Sequence, residues 1–118
     1  MRAKDAVGRY GEDVAEAHVR SRGWQVLERN WRCRDGELDM VALDGDELVV
    51  VEVKTRRSTA YGHPAEAVTS VKLARVRRLA ALWLAVHDVR PLSVRVDVIA
   101  VLLLRGHGPQ VDHLVGVV

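Results

Sequence analysis

Residues 36–56 read GELDMVALDGDELVVVEVKTR, and the pattern of this stretch decides the fold. Two apolar runs, about Glu37–Leu43 and Glu47–Thr55, flank Asp44-Gly45-Asp46, a strong hairpin signal. The second run carries apolar residues on both faces: Leu48 and Val50 on one, Val49, Val51 and Val53 on the other. A strand of that kind is covered from both sides, which predicts an α/β domain with a mixed central sheet flanked by helices.

Three charges interrupt the hairpin: Asp39, Glu52 and Lys54. If Gly45-Asp46 are the central turn residues, Asp44 pairs with Glu47 and Asp39 comes to lie opposite Glu52. If Asp44-Gly45 are central, the pairing slides by two and Asp39 lies diagonal to Glu52. Both registers keep the two carboxylates on one face, and Lys54, two residues past Glu52, projects from it too. Carboxylates held within ~5–8 Å repel each other, and three arrangements relieve this. Lys54 can form a structural salt bridge, the hairpin end can be open to water, or a divalent cation can bind. A lysine beside such a cation would orient or deprotonate a water and stabilise developing phosphorane charge. The spacing alone leaves these open.

Working outward, residues from about Asp5 to Arg22 read as a helix closed by Gly23. Its wheel puts Glu12 on the ridge of Ala15 and Val19, with Gly8 and Gly11 leaving room beside it. An exposed glutamate favourable to the helix dipole is the competing reading. Trp24–Asn30 reads as a strand, 31–35 (WRCRD) as a basic connection, and Arg56–Pro64 as a polar loop. A long helix follows from Ala65 or Thr69 to His87, then strands over Ser93–Leu104 and Val111–Val118 with the turn RGHGP between them. On the long helix Lys72 leads the apolar ridge Val76, Leu79, Trp83. It is therefore expected to point toward the sheet, as a phosphate or carboxylate partner or as a snorkelling lysine. Arg75 and Arg78 flank that face and extend a basic rim. Asp97, inside an apolar strand, is expected to pair with Arg95 on the same face.

The totals narrow the class. With 118 residues and a net charge of +2, the chain supports one domain, residues 1–118, and one core. The lone Cys33 excludes an intramolecular disulfide framework and suits a reducing compartment. No apolar leader follows Met1 and no apolar run spans a bilayer, which predicts a cytoplasmic protein without a membrane partner. The five histidines lack helical metal-ligand spacing, which argues against zinc, and no glycine-rich phosphate loop is present. Arginine supplies nearly all the positive charge, in clusters that could hold phosphates.

Taken in order, GELDMVA, VVVEVKTR, YGHP, the Lys72 helix and RVDVIAV, with Gly11-Glu12 before them, resemble the small bacterial YraN-type family of uncharacterised proteins. That family is similar in turn to the restriction-endonuclease-like PD-(D/E)XK nucleases, archaeal Holliday junction resolvases above all. The resemblance implies a restriction-endonuclease-like fold and a Mg²⁺- or Mn²⁺-dependent phosphodiesterase centre acting on DNA, branched DNA included. It implies Asp39, Glu52 and the Val53 carbonyl as metal ligands, Lys54 acting on the water nucleophile, and Glu12 completing the acidic cluster. Arg56 and Lys72 would contact phosphates. Leu38 stands where the superfamily's name has proline. Resolvase relatives pair for double cuts, so a homodimer is an expectation too, although no dimer surface is legible in the chain. The alternative function is a nucleic-acid or protein binding module that keeps the fold without turnover.

Overall fold

The computed structural model describes residues 3–58 and 69–117, with side chains from Ala6 onward. Its elements run α1 (Ala3–Ser21), β1 (Gln25–Cys33), β2 (Gly36–Asp44), β3 (Glu47–Arg56), α2 (Ser70–Val86), β4 (Ser93–Leu102) and β5 (Gln110–Leu114). The five strands form one sheet in the order β1-β2-β3-β4-β5. Only the β3–β4 pair is parallel, and α2 is part of the long crossover that a parallel pair requires. This is the mixed α/β architecture expected from the hairpin.

Strand alternation divides the core into two layers. Ala15 and Val19 of α1 pack with Trp24, Met40, Val49, Val51 and Ile99 on one face. Val76, Leu79 and Trp83 of α2 pack with Leu38, Leu48, Val50 and Val96 on the other. The two-sided apolar pattern of β3 is thus matched by one helix on each face. Between α1 and β3 the approach is close enough to demand glycine. A Cβ on Gly11 would overlap Thr55 Oγ1 and lie 2.8 Å from Thr55 Cβ. Gly8, by contrast, faces open space, so only one of the two expected glycines makes room.

The hairpin register is the first of the two alternatives: Asp44 pairs with Glu47 and Leu43 with Leu48. Gly45 takes φ 61 as the first central residue, where a II′ turn calls for glycine. Arg95 fastens this turn from β4, donating to Glu47 at 2.6 Å and Asp44 at 3.2 Å.

Several expected boundaries move. β1 runs on through Trp31 and Cys33, because Trp31 pairs with Leu38 and Cys33 with Gly36; the basic connection shrinks to a turn at Arg34-Asp35. The last strand ends at Leu114 and β4 at Leu102. Helix α2 begins behind Thr69, whose hydroxyl accepts from the Lys72 N–H at 3.2 Å as an N-cap. A start at Ala65, and the YGHP motif itself, lie outside the described residues. Among those described, no helix is long and apolar enough to cross a membrane.

Candidate active site

Asp39 sits where the central ladder opens. Pairing between β2 and β3 stops at Met40↔Val51, one step short of Asp39 and Glu52. The neighbouring strand β1 is irregular at the same point. Arg29 pairs with Met40 and Trp31 with Leu38, but Asn30 between them is turned to φ 55. Leu38 and Val41 consequently both face α2, which strict alternation would not allow. In the gap, Asp39 Oδ2 accepts the Val53 N–H at 2.8 Å and replaces a lost backbone partner. The expected sharing of one face by Asp39, Glu52 and Lys54 therefore needs correction. Glu52 and Lys54 project from the α2 face of β3, whereas the Asp39 carboxylate reaches across to the backbone of β3.

Electrostatics bring the groups together. The Asp39 carboxyl is pushed up to about 7, first by burial and then by the Glu52 charge, with Glu12 adding to it. The Val53 N–H bond and the Lys54 charge oppose that rise. Lys54 Nζ lies 3.0 Å from Glu52 Oε1, and both side chains are about four-fifths buried, at 19% exposure each. Each carboxylate has one oxygen engaged in this way. The second oxygen has no hydrogen-bond partner among the described residues.

Glu12 approaches from α1 on the ridge expected of it, about four-fifths buried at 18% exposure. It is held by Arg29 Nη2 at 3.3 Å, and the same guanidinium binds Asp13 at 2.8 Å and Glu16 at 3.1 Å. Sequence reading missed this clamp: Arg29 lies 17 residues from Glu12 and resembled any other surface arginine. On the α2 side a concavity of about 240 Å³ is bounded by Glu52, Lys54, Lys72, Arg75 and Gly36. Lys72 therefore reaches the site, yet it is exposed at the rim instead of pointing into the sheet. Arg75 shares the rim. Arg56 does not join it. Exposed at the end of β3, it donates to the adjacent Thr55 carbonyl at 3.0 Å.

A chain match now places the protein among others. Residues 11–101 match the profile of the uncharacterised protein family UPF0102. The chain belongs to this family. A UPF0102 protein of Beutenbergia cavernae is 62% identical over 117 residues, covering 99% of both chains. Similar proteins of Arthrobacter sp. (strain FB24) and Frankia alni are 56% and 55% identical, over 99% and 98% of this chain and 99% and 97% of theirs. The YraN-type resemblance drawn from the sequence is thereby borne out. The matched span includes Glu12, Asp39, Glu52, Lys54, Arg56 and Lys72.

A second polar cluster lies under α1, away from these residues. Asp97, fully buried, accepts from Arg95 Nε at 2.9 Å, His113 Nε2 at 2.7 Å and the Gly116 N–H at 2.9 Å. His113 Nδ1 meets His18 Nε2 at 3.1 Å, and the Arg95 guanidinium lies 5.0 Å above the Trp24 ring. Every oxygen of Asp97 is engaged, so the expected Arg95–Asp97 pair is present and structural. Among the described residues no group of three or more His, Cys, Asp or Glu side chains is arranged to hold a metal ion. A hard cation such as Mg²⁺ needs fewer: one or two carboxylates, with waters and phosphate oxygens completing its shell. Asp39 and Glu52, each with one unengaged oxygen and together short of positive charge, fit that requirement.

Proposed function

We propose that this protein is a metal-dependent endonuclease that hydrolyses DNA phosphodiester bonds, branched DNA being the favoured substrate. The observation that supports the reading is the Asp39 carboxylate, seated in a split of the sheet and forced up to about 7 beside Glu52. Two crowded carboxylates with a single lysine destabilise a fold, and a structural role alone gives no reason to keep them.

Asp39, Glu52 and the Val53 carbonyl would hold Mg²⁺ or Mn²⁺, which supplies Lewis-acid polarisation of the phosphate and a more acidic water. Asp39 is positioned by the Val53 N–H, so its second oxygen is aimed without rotamer searching. Lys54, steered by Glu52, presents its ammonium at the edge of the concavity, where it orients the attacking water and neutralises charge developing on the phosphoryl oxygens. Glu12, restrained by Arg29, accepts a hydrogen bond from water on the α1 side. Lys72 and Arg75 on the rim attract the DNA backbone, and Arg56, apart from that rim at the end of β3, would offer a further phosphate contact. A homodimer would set two such centres for paired cuts.

Incubation with linear, nicked and four-way-junction DNA in Mg²⁺ or Mn²⁺ tests the reading. Cleavage is expected, and it is expected to disappear in Lys54→Ala and Asp39→Ala. A second reading draws on the 3.0 Å Glu52–Lys54 pair: a binding module that keeps the fold without turnover. Nucleic-acid or protein binding that survives EDTA and both substitutions, with no cleavage, would favour it.

A further inference from the structure

Beyond the acidic residues, a second concavity of about 420 Å³ opens at the carboxyl ends of the parallel strands β3 and β4. Ligands of open α/β sheets collect at such strand ends, and the volume lies within the range of small-molecule sites. Leu103, Leu104 and Pro109 form an apolar floor, while Arg57 and Arg105 stand on the rim with Tyr10. Tyr10 is 49% exposed, an unusual investment for one of only two tyrosines in a chain without phenylalanine. Two backbone hydrogen bonds fix the surroundings: Leu103 N–H to the Arg56 carbonyl at 2.8 Å, and His107 N–H to the Leu104 carbonyl at 3.2 Å.

The location ties this surface to the acidic residues. Tyr10 precedes Gly11, which rests on Thr55, and Glu12 follows one residue later. Arg57 lies three residues beyond Lys54 on the same run of chain. An aromatic face, an apolar floor and two guanidinium forks are the chemistry of a nucleotide: a base stacks on the ring and phosphates take the forks. A paired base already has both faces covered by its neighbours in the stack. Within a continuous duplex no base has a face free for Tyr10, whereas an unpaired base can leave the stack and present one.

We propose that this concavity is a subsite for one unpaired nucleotide of the substrate strand, its base on Tyr10 and its flanking phosphates on Arg57 and Arg105. The proposal rests on the nuclease reading for its substrate class and adds that the strand is locally single-stranded.

Fluorescence anisotropy of the full chain in EDTA, with a labelled single-stranded oligonucleotide and the same sequence as a duplex, separates this from catalysis. Tyr10→Ala is expected to weaken single-strand binding by about tenfold or more, as loss of one base–aromatic stack does, and to change duplex binding little. Tyr10→Phe retains the ring and is expected to bind as the native protein does. The pair Arg57→Ala, Arg105→Ala is expected to flatten the salt dependence of single-strand binding by about one to two counterions. Equal losses on both DNAs for Tyr10→Ala, or none on either, would overturn the subsite even if Mg²⁺-dependent cleavage is found. Selective loss on the single strand would uphold it even if cleavage is absent, leaving only the nuclease reading refuted.

Discussion

Replacing Asp39 with asparagine removes one negative charge from the split between β2 and β3 and keeps an oxygen that can accept the Val53 N–H. In the native chain the carboxyl is raised from 3.8 to about 7. Between those values the folded protein holds a proton that the unfolded chain has released. Stability therefore falls as pH rises through this window and is lowest above it. At ~1.36 kcal/mol per pKa unit the full penalty at pH 8 has an upper bound of ~4 kcal/mol. Relaxation around a half-buried group, with the effective dielectric nearer that of a protein surface, reduces the gain expected of Asp39→Asn to ~1–3 kcal/mol. Urea unfolding at pH 5 and pH 8 measures it. The variant is predicted to exceed the native protein at pH 8, and by roughly a third as much at pH 5, which lies about that far into the window. A variant destabilised equally at both pH values would refute the reasoning, because Asp39 would then be an ordinary structural acceptor.

Other perturbations reach other parts of the account. Lys54→Ala leaves the largely buried Glu52 without its ion-pair partner beside Asp39, so it should lower stability by ~1–3 kcal/mol in a urea melt, and it should lower cleavage by ~10²–10⁴-fold in a single-turnover assay. Gly11→Ala drives a methyl into Thr55 and should cost ~1–3 kcal/mol in a urea melt; the double variant with Thr55→Ser, which removes the Cγ2 methyl and frees the hydroxyl to rotate away, should recover part of it. Asp97→Ala strands Arg95 and His113 together and should cost ~3–5 kcal/mol, read as a lowered thermal midpoint, without altering divalent-ion affinity.

What the sequence made legible follows from local rules. Asp44-Gly45-Asp46 and a period of two placed the hairpin and its register, and β3's two-sided apolar pattern called for a helix on each face. The ridge of Val76, Leu79 and Trp83 predicted which side of α2 is buried. What stayed hidden depends on residues distant in the chain. The opening at Asp39 coincides with Asn30, nine residues earlier on another strand, whose positive φ leaves no mark on the hydrophobic pattern. The Arg29 clamp on Glu12, Asp13 and Glu16 joins β1 to α1. The Asp97–His113 contact requires β5 to fold back on β4 at Val98↔Leu114. Lys72 was placed on the right ridge, and of its two readings the structure has the side chain exposed at the rim, because its position beside the Thr69 cap puts it at the open end of α2.

Calorimetric titration with Mn²⁺ at pH 8 reads the proposed metal centre without recourse to cleavage. Saturable binding to the native protein is expected, with loss of that binding in Asp39→Asn and affinity that falls as pH drops through about 7, where Asp39 takes up its proton. Absence of binding at pH 8, or binding of equal strength to the variant, would contradict a metal centre at Asp39 and Glu52.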